Sequence, residues 1–426
     1  MATDSAFLLR RRHFLGLLGA GAAAQAGLPG LAFANSPFAD TPHDNRLVMI
    51  FLRGAMDGLS AVPPYGDPNY QNLRGKLALA EPGAPQGVLP LDGHFGLHPA
   101  LAPIHPLFAL GELAVVHATA GGYDTRSHFD AQDLLEMGLT QRRGQFSGWL
   151  NRTLGDIDHG DAQARLGLAV GGTVPLMLRG PAQVDSWEPP HMRPVDPILI
   201  DAMTRLYAHD KLFGAALADA INTDSLSGVD PMVLNPARAQ PSIPPAASAR
   251  PKPKPGQAFM DLMRAAGHLL STPQGPRIAM ADLNGWDTHV AQGAGTGRLA
   301  QALTVLANGL DTLRTSLGPA WRNTVVVTVT EFGRTAAPNG TDGTDHGTAS
   351  ATFLLGGAVK GGVHGDFPGL AANALLENRD LRMASDLRGV MKGVLAEHLG
   401  VPRGHLDTVI FPDSAAIRPM DGLLKV

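Results

Sequence analysis

The run Arg46-Leu47-Val48-Met49-Ile50-Phe51-Leu52 is apolar at every position after the first, and Gly54 and Gly58 follow at once. A strand with one wet face alternates apolar with polar residues. An unbroken apolar run bounded by glycine is buried on both faces and ends in a loop. Such a strand requires parallel neighbours and helices above and below it. Comparable runs lie at 113–117, 166–170, 174–178, 277–283, 324–330 and 351–355, with helical apolar spacing at 127–137, 257–270, 298–317 and 384–399. Together they predict a three-layer α/β/α fold around a mostly parallel central sheet. Residues 236–255 carry seven prolines, so they neither pair in a sheet nor continue a helix. They read as a surface segment rather than a domain boundary, because strands from both sides are needed to complete one sheet of ordinary width. The expectation is one domain over residues 35–426.

Composition removes several classes of function. The chain has no cysteine, which excludes disulfides, thiolate metal sites, iron–sulfur clusters and cysteine nucleophiles. Its net charge of −4, without a long basic run in the body, lacks the electrostatic footprint of a nucleic-acid binder. Glycine and proline number 51 and 34 of 426 residues. That is a loop-rich globular chain, and loops are where chemistry is usually carried.

The N-terminus reads as an address. Arg10-Arg11-Arg12-His13-Phe14-Leu15 precedes a weakly apolar stretch, which ends in Ala32-Phe33-Ala34. A charged region, an apolar region and a small-x-small site occur in the order of a cleavable signal. Gln25 and Pro29 interrupt the apolar part, which falls short of the roughly 20 predominantly apolar residues of a spanning helix. The core Arg11-Arg12-x-Phe14-Leu15 resembles the twin-arginine export signal of bacteria. Residues 1–34 are therefore expected to direct a folded chain to the twin-arginine export machinery and into the periplasm.

Ligand sites of open parallel sheets lie beyond the carboxyl ends of the strands. Five segments place carboxylates and imidazoles there: Arg53-Gly54-Ala55-Met56-Asp57, Ser127-His128-Phe129-Asp130, Asp282-Leu283-Asn284-Gly285-Trp286-Asp287-Thr288-His289, Glu331-Phe332-Gly333-Arg334 with Asp345-His346, and His364-Gly365-Asp366. Oxygen and nitrogen donors of this kind suit one or two divalent ions, Zn²⁺, Mn²⁺, Mg²⁺ or Ca²⁺. Asp287 and His289, two apart, can point to one side of an extended stretch. Ser127 opens a helix, where a hydroxyl either caps the first turn or, beside exposed backbone N–H groups, faces an anion as a nucleophile. Arg126 or Arg53 can clamp anionic oxygens. The Gly-x-Ser-x-Gly elbow of serine esterases, the phosphate-binding Gly-x-x-x-x-Gly-Lys-Ser/Thr loop and the dinucleotide fingerprint are all missing from these segments.

Leu47-Val48-Met49-Ile50-Phe51-Leu52-Arg53-Gly54-Ala55-Met56-Asp57-Gly58, Leu97-His98-Pro99-Ala100-Leu101, Ser127-His128-Phe129-Asp130-Ala131-Gln132, Trp286-Asp287-Thr288-His289, Thr330-Glu331-Phe332-Gly333-Arg334-Thr335 and Thr344-Asp345-His346-Gly347 closely resemble the bacterial family known as domain of unknown function 1501. That family is grouped with the alkaline-phosphatase-like superfamily, whose phosphatases, sulfatases and phosphomutases use one or two metal ions and a hydroxyl-type nucleophile. The resemblance implies Asp57, Asp282, Asp287, His289, Asp345, His346 and His364 as metal ligands, with Glu331 replacing or supplementing one. It implies Ser127 as nucleophile, and an anionic phosphate or sulfate ester as substrate. The alternative is a non-catalytic envelope protein of binding or assembly that keeps the fold.

Overall fold

A computed structural model of the chain describes residues 44–142, 144, 146–157, 166–189, 203–207, 210, 213–214, 216–218 and 255–425. The signal-like residues 1–34 and the proline-rich residues 236–254 lie outside them. The apolar run forms strand β1 (Arg46–Arg53), buried at all but its last residue. Further strands are β2 (Leu113–Ala120), β3 (Gly167–Val170), β4 (Val184–Trp187), β5 (Ile278–Asn284), β6 (Thr324–Val329), β7 (Ser350–Leu355), β8 (Gly362–His364) and β9 (Ser385–Asp386). They build one nine-stranded sheet in the order β8-β2-β7-β6-β1-β5-β3-β4, with β9 also pairing β2.

β1 runs parallel to β5 on one side and to β6 on the other. Only β7 runs against its neighbours β2 and β6. The α/β class and the mostly parallel sheet agree with the sequence reading. Residues 174–178 do not: Pro175 leads into a 3-10 turn at Leu176–Leu178, because proline has no N–H to give to a sheet ladder.

Alternation along β1 explains the layers. Val48, Ile50 and Leu52 join the core beneath helices α4 (Pro255–Ser271) and α5 (Arg298–Leu317). Leu47, Met49 and Phe51 face the opposite core, shared with α3 (Trp149–Leu154) and α6 (Leu387–Leu399). Along α5, Leu299, Leu303, Leu306, Leu310, Leu313 and Leu317 bury one stripe, the three- and four-residue spacing of a helix on a sheet. Among the described residues no helix is long and apolar enough to cross a membrane.

Topology puts the loops of interest on one rim. β1, β2, β5 and β6 end there. The reversed strand β7 begins there, so the segment before Ser350 meets the loops after the other strands. Helix α2 (His128–Met137) starts on the same rim, in a segment that follows β2.

Candidate metal centre

Three loops are pressed together before any side chain acts. Gly54, with φ +119, lies so close to the loop after β5 that a Cβ there would sit 2.7 Å from the Asp287 nitrogen. A Cβ on Gly333 would lie 1.8 Å from the Ala349 carbonyl oxygen, and one on Gly347 would lie 2.4 Å from the Arg334 carbonyl carbon. Only glycine permits backbone to pass backbone at these points. Arg334 locks the arrangement from below. Its buried guanidinium donates to the carbonyl oxygens of Gly54 at 2.7 Å, Ala55 at 2.8 Å and Thr344 at 3.0 Å, and to the Asp287 carboxylate.

Above Arg334, three imidazoles face one oxygen. The Nε2 atoms of His289, His346 and His128 lie 3.1, 3.4 and 3.5 Å from Asp287 Oδ1. Each ring is tied at its other nitrogen to an acceptor. His128 Nδ1 donates to Glu331 Oε1 at 2.7 Å, His346 Nδ1 to the Arg126 carbonyl at 2.8 Å, and His289 Nδ1 to Asp345 Oδ1 at 3.0 Å. With those bonds the proton of a neutral ring sits on Nδ1, and a neutral ring then directs a lone pair from Nε2 toward a carboxylate oxygen. Lone pairs converging on an anion are repulsive unless a cation lies among them. His128 Nε2 and His346 Nε2 are buried and have no hydrogen-bond partner, and ligand atoms of His128, Asp287 and His346 fall within 4.8 Å of one another. Imidazoles oriented through Nδ1 by carboxylates or carbonyls are the usual outer support of a metal site. The donors present therefore fit a divalent ion.

Electrostatics reinforce the placement. Burial acts to raise the Asp287 carboxyl, but Arg334 and the neighbouring imidazoles overcome it and hold the group below the usual carboxylate range. Burial likewise acts against Glu331, and bonds from His128, Gln132 and the Gly54 nitrogen bring its pKa down. The Glu331 bond raises the His128 imidazole above its ordinary value, whereas burial lowers that of His346. Glu331 is fully buried while the Asp287 side chain is 47% exposed. One side of the cluster thus opens to solvent, as a site that exchanges ligands requires.

The residues named from sequence divide into two groups. Asp287, His289, Glu331, Asp345 and His346 come together; Asp345 and Glu331 reach the cluster through imidazoles that they hold. Asp57 instead caps helix α1 (Gly58–Ala61), accepts from Gln292 Nε2 at 2.7 Å and pairs with buried Arg74 at 2.5 Å. Burial raises the Asp282 carboxyl, whose partner is Arg53 Nε at 3.0 Å. His364 ends β8, three strands from β6, or roughly 14 Å at ordinary strand spacing. Ser127 stands at the cap position of α2 but its side chain makes no capping bond there, so the hydroxyl is not spent on the helix. Arg126 donates to Asp380 at 2.8 Å and to Glu377 at 3.3 Å. His128 and Arg334 were not singled out from sequence, although both stand inside quoted motifs. The one available signal was the placement of His128 in the first turn of a helix on the rim.

Among curated proteins no relative matches the chain. Solved structures give low-scoring likenesses. A protein of Bacteroides thetaiotaomicron VPI-5482 described as a candidate sulfatase aligns at 10% identity and TM-score 0.39, covering 84% of this chain and 71% of that one. A complex of Ps i-CgsB with k-i-k-neocarrahexaose aligns at 12% and 0.41, covering 88% and 77%. A 2-O GAG sulfatase aligns at 11% and 0.33, covering 87% and 72%. At such scores these likenesses add nothing to the site, which stands on its own residues. Residues 246–410, the stretch holding Asp287, His289, Glu331, Arg334, Asp345 and His346, match the family described as "Protein of unknown function (DUF1501)", the family whose motifs the sequence resembles.

Proposed function

We propose that this chain is an exported, metal-dependent hydrolase of phosphate or sulfate esters, its ion held by His128, Asp287 and His346 with His289 as a further donor. One observation carries the reading: three Nε2 atoms, each on a ring anchored through Nδ1, face a single carboxylate oxygen. When bound, a divalent ion supplies Lewis-acid neutralisation of charge developing on the ester. Of the ions considered, Zn²⁺ best suits a set dominated by imidazole, while Mn²⁺ would lean on Asp287 and water.

The remaining roles belong to the chain's own groups. Glu331 fixes the tautomer and direction of His128. Asp345 does the same for His289, and Arg334 fixes Asp287. Ser127, exposed and next to His128, supplies the attacking hydroxyl. Asp57 is a brace rather than a ligand, since Arg74, Gln292, Ser60 and two backbone amides already engage its oxygens. Asp282 and His364 stand outside the centre.

The test is turnover of an aryl phosphate and aryl sulfate panel by protein purified mildly, treated with chelator, and then resupplied with Zn²⁺ or Mn²⁺. Hydrolysis abolished by chelation and restored by metal is expected. A Ser127→Asp variant that folds and holds metal should lose it. Chelator-insensitive turnover, or none on any member of the panel with metal bound, sinks the hydrolase reading and leaves a binding protein.

A further inference from the structure

Beside the proposed metal centre stand two arginines built around one buried acid. Asp380 is fully buried. It takes Arg126 Nη2 at 2.8 Å, Arg379 Nη1 at 3.2 Å and the Thr348 hydroxyl at 3.0 Å. Both arginines also grip the ligand His346 from its two ends: the Arg126 carbonyl accepts from His346 Nδ1 at 2.8 Å, and Arg379 Nη2 donates to the His346 carbonyl at 2.9 Å. Neither guanidinium is spent. Their side chains are 36% and 39% exposed, and among the described residues Arg126 Nη1 and Nε and Arg379 Nε have no protein partner. Glu377, 65% exposed, is a contact of Arg126 at 3.3 Å, and the charge of Arg379 also reaches the Asp345 carboxylate. A fully buried carboxylate that fixes two half-exposed guanidiniums costs desolvation that a merely solvated surface pair would not need. Planar N–H forks held in place are suited to the oxygens of a tetrahedral oxyanion.

We infer that Arg126 and Arg379, set on Asp380, form the oxyanion-binding jaw of the site and take the non-bridging oxygens of a phosphate or sulfate group. The inference rests on the reading of the metal centre above and adds the residues that select charge. Arg379 is new to the site; Asp380 acts through the two arginines and is a positioning residue.

The test is calorimetric titration of the full chain, carrying Zn²⁺ at measured stoichiometry, with inorganic phosphate in one arm and inorganic sulfate in another. Arg379→Gln and, separately, Arg126→Gln, both at half-exposed positions, should each weaken binding of the preferred anion by about tenfold or more, the loss expected for a charge-assisted bond. Metal stoichiometry should not change, and Arg379→Lys should recover only part of the affinity because it keeps the charge but not the fork. If metal is retained and both Gln variants bind the anions as the wild type does, the jaw is overturned while the metal centre survives. If the wild type holds no metal, the metal reading fails. The same titration on the metal-free chain still judges the jaw, by whether the weaker anion binding falls with Arg379→Gln.

Discussion

At the scale of single residues, the proposed centre depends on groups that would touch no substrate. Glu331 is buried and spends one oxygen on His128 Nδ1, Gln132 Nε2 and the Gly54 nitrogen, and the other on the Thr330 hydroxyl. Glu331→Gln is nearly isosteric but can no longer be relied on to accept the His128 proton. It should weaken metal binding by ~10–100-fold, the usual cost of losing an outer partner of a ligating histidine. Competition with a chromogenic chelator reads this directly; an unchanged affinity would remove Glu331 from the centre. Residue identity was only half legible in the sequence. Asp287 and His289 announced themselves by chemistry and by position after a strand, Asp345-His346 by chemistry alone. Asp57 looks the same in sequence, yet its carboxylate folds back on its own helix and on Arg74. The partner that decides this, Arg74, is 17 residues away and carries no local mark of burial.

At the scale of elements, the buried cluster around Asp57 ties α1 to the loops of the proposed metal centre. Ser60 Oγ and Asp57 meet Arg74, and Gln292 links them to Thr288 and Thr344, which flank Asp287, His289 and Asp345. Asp57→Asn would leave Arg74 charged and buried with a weakened partner. It should destabilise the fold by about 3–5 kcal/mol, while the folded fraction still binds metal; urea unfolding and metal content distinguish this from loss of a ligand. A second element-scale prediction concerns pH. His117 on β2 accepts from Ala118 N at 2.9 Å and donates to the Val62 carbonyl at 3.0 Å. His398 on α6 donates to the Arg46 carbonyl at 2.9 Å. Burial lowers both pKa values to about 4 from an ordinary 6.5. The unfolded chain therefore takes up protons first as pH falls. The stability these neutral rings contribute is complete above pH ~6.5 and is lost between there and about 4, at up to ~1.4 kcal/mol per pH unit for each. Urea midpoints at pH 7 and pH 5 should differ accordingly, and by less in His117→Gln; equal midpoints would contradict the assignment.

At the scale of the whole molecule, the layered α/β plan was readable because continuous apolar runs and helical stripes leave few ways to bury both. The reversal of β7 was not, since a buried strand has the same composition in either direction. That reversal is what delivers Asp345 and His346 to the rim, 14 and 15 residues after Glu331. Export is proposed from residues 1–34. Replacing Arg11 and Arg12 by Lys should leave the precursor in the cytoplasm, because recognition of the pair depends on guanidinium geometry; fractionation that still recovers processed chain from the periplasm would refute it. The metal centre itself is tested most directly by counting ions. Elemental analysis of mildly purified wild-type protein should find about one divalent transition ion per chain, and a folded Asp287→Ala/His346→Ala double variant prepared identically should hold none. A metal-free wild type that stays empty after exposure to Zn²⁺ and Mn²⁺, or a double variant with undiminished content, would contradict the assignment of His128, Asp287 and His346 as ligands.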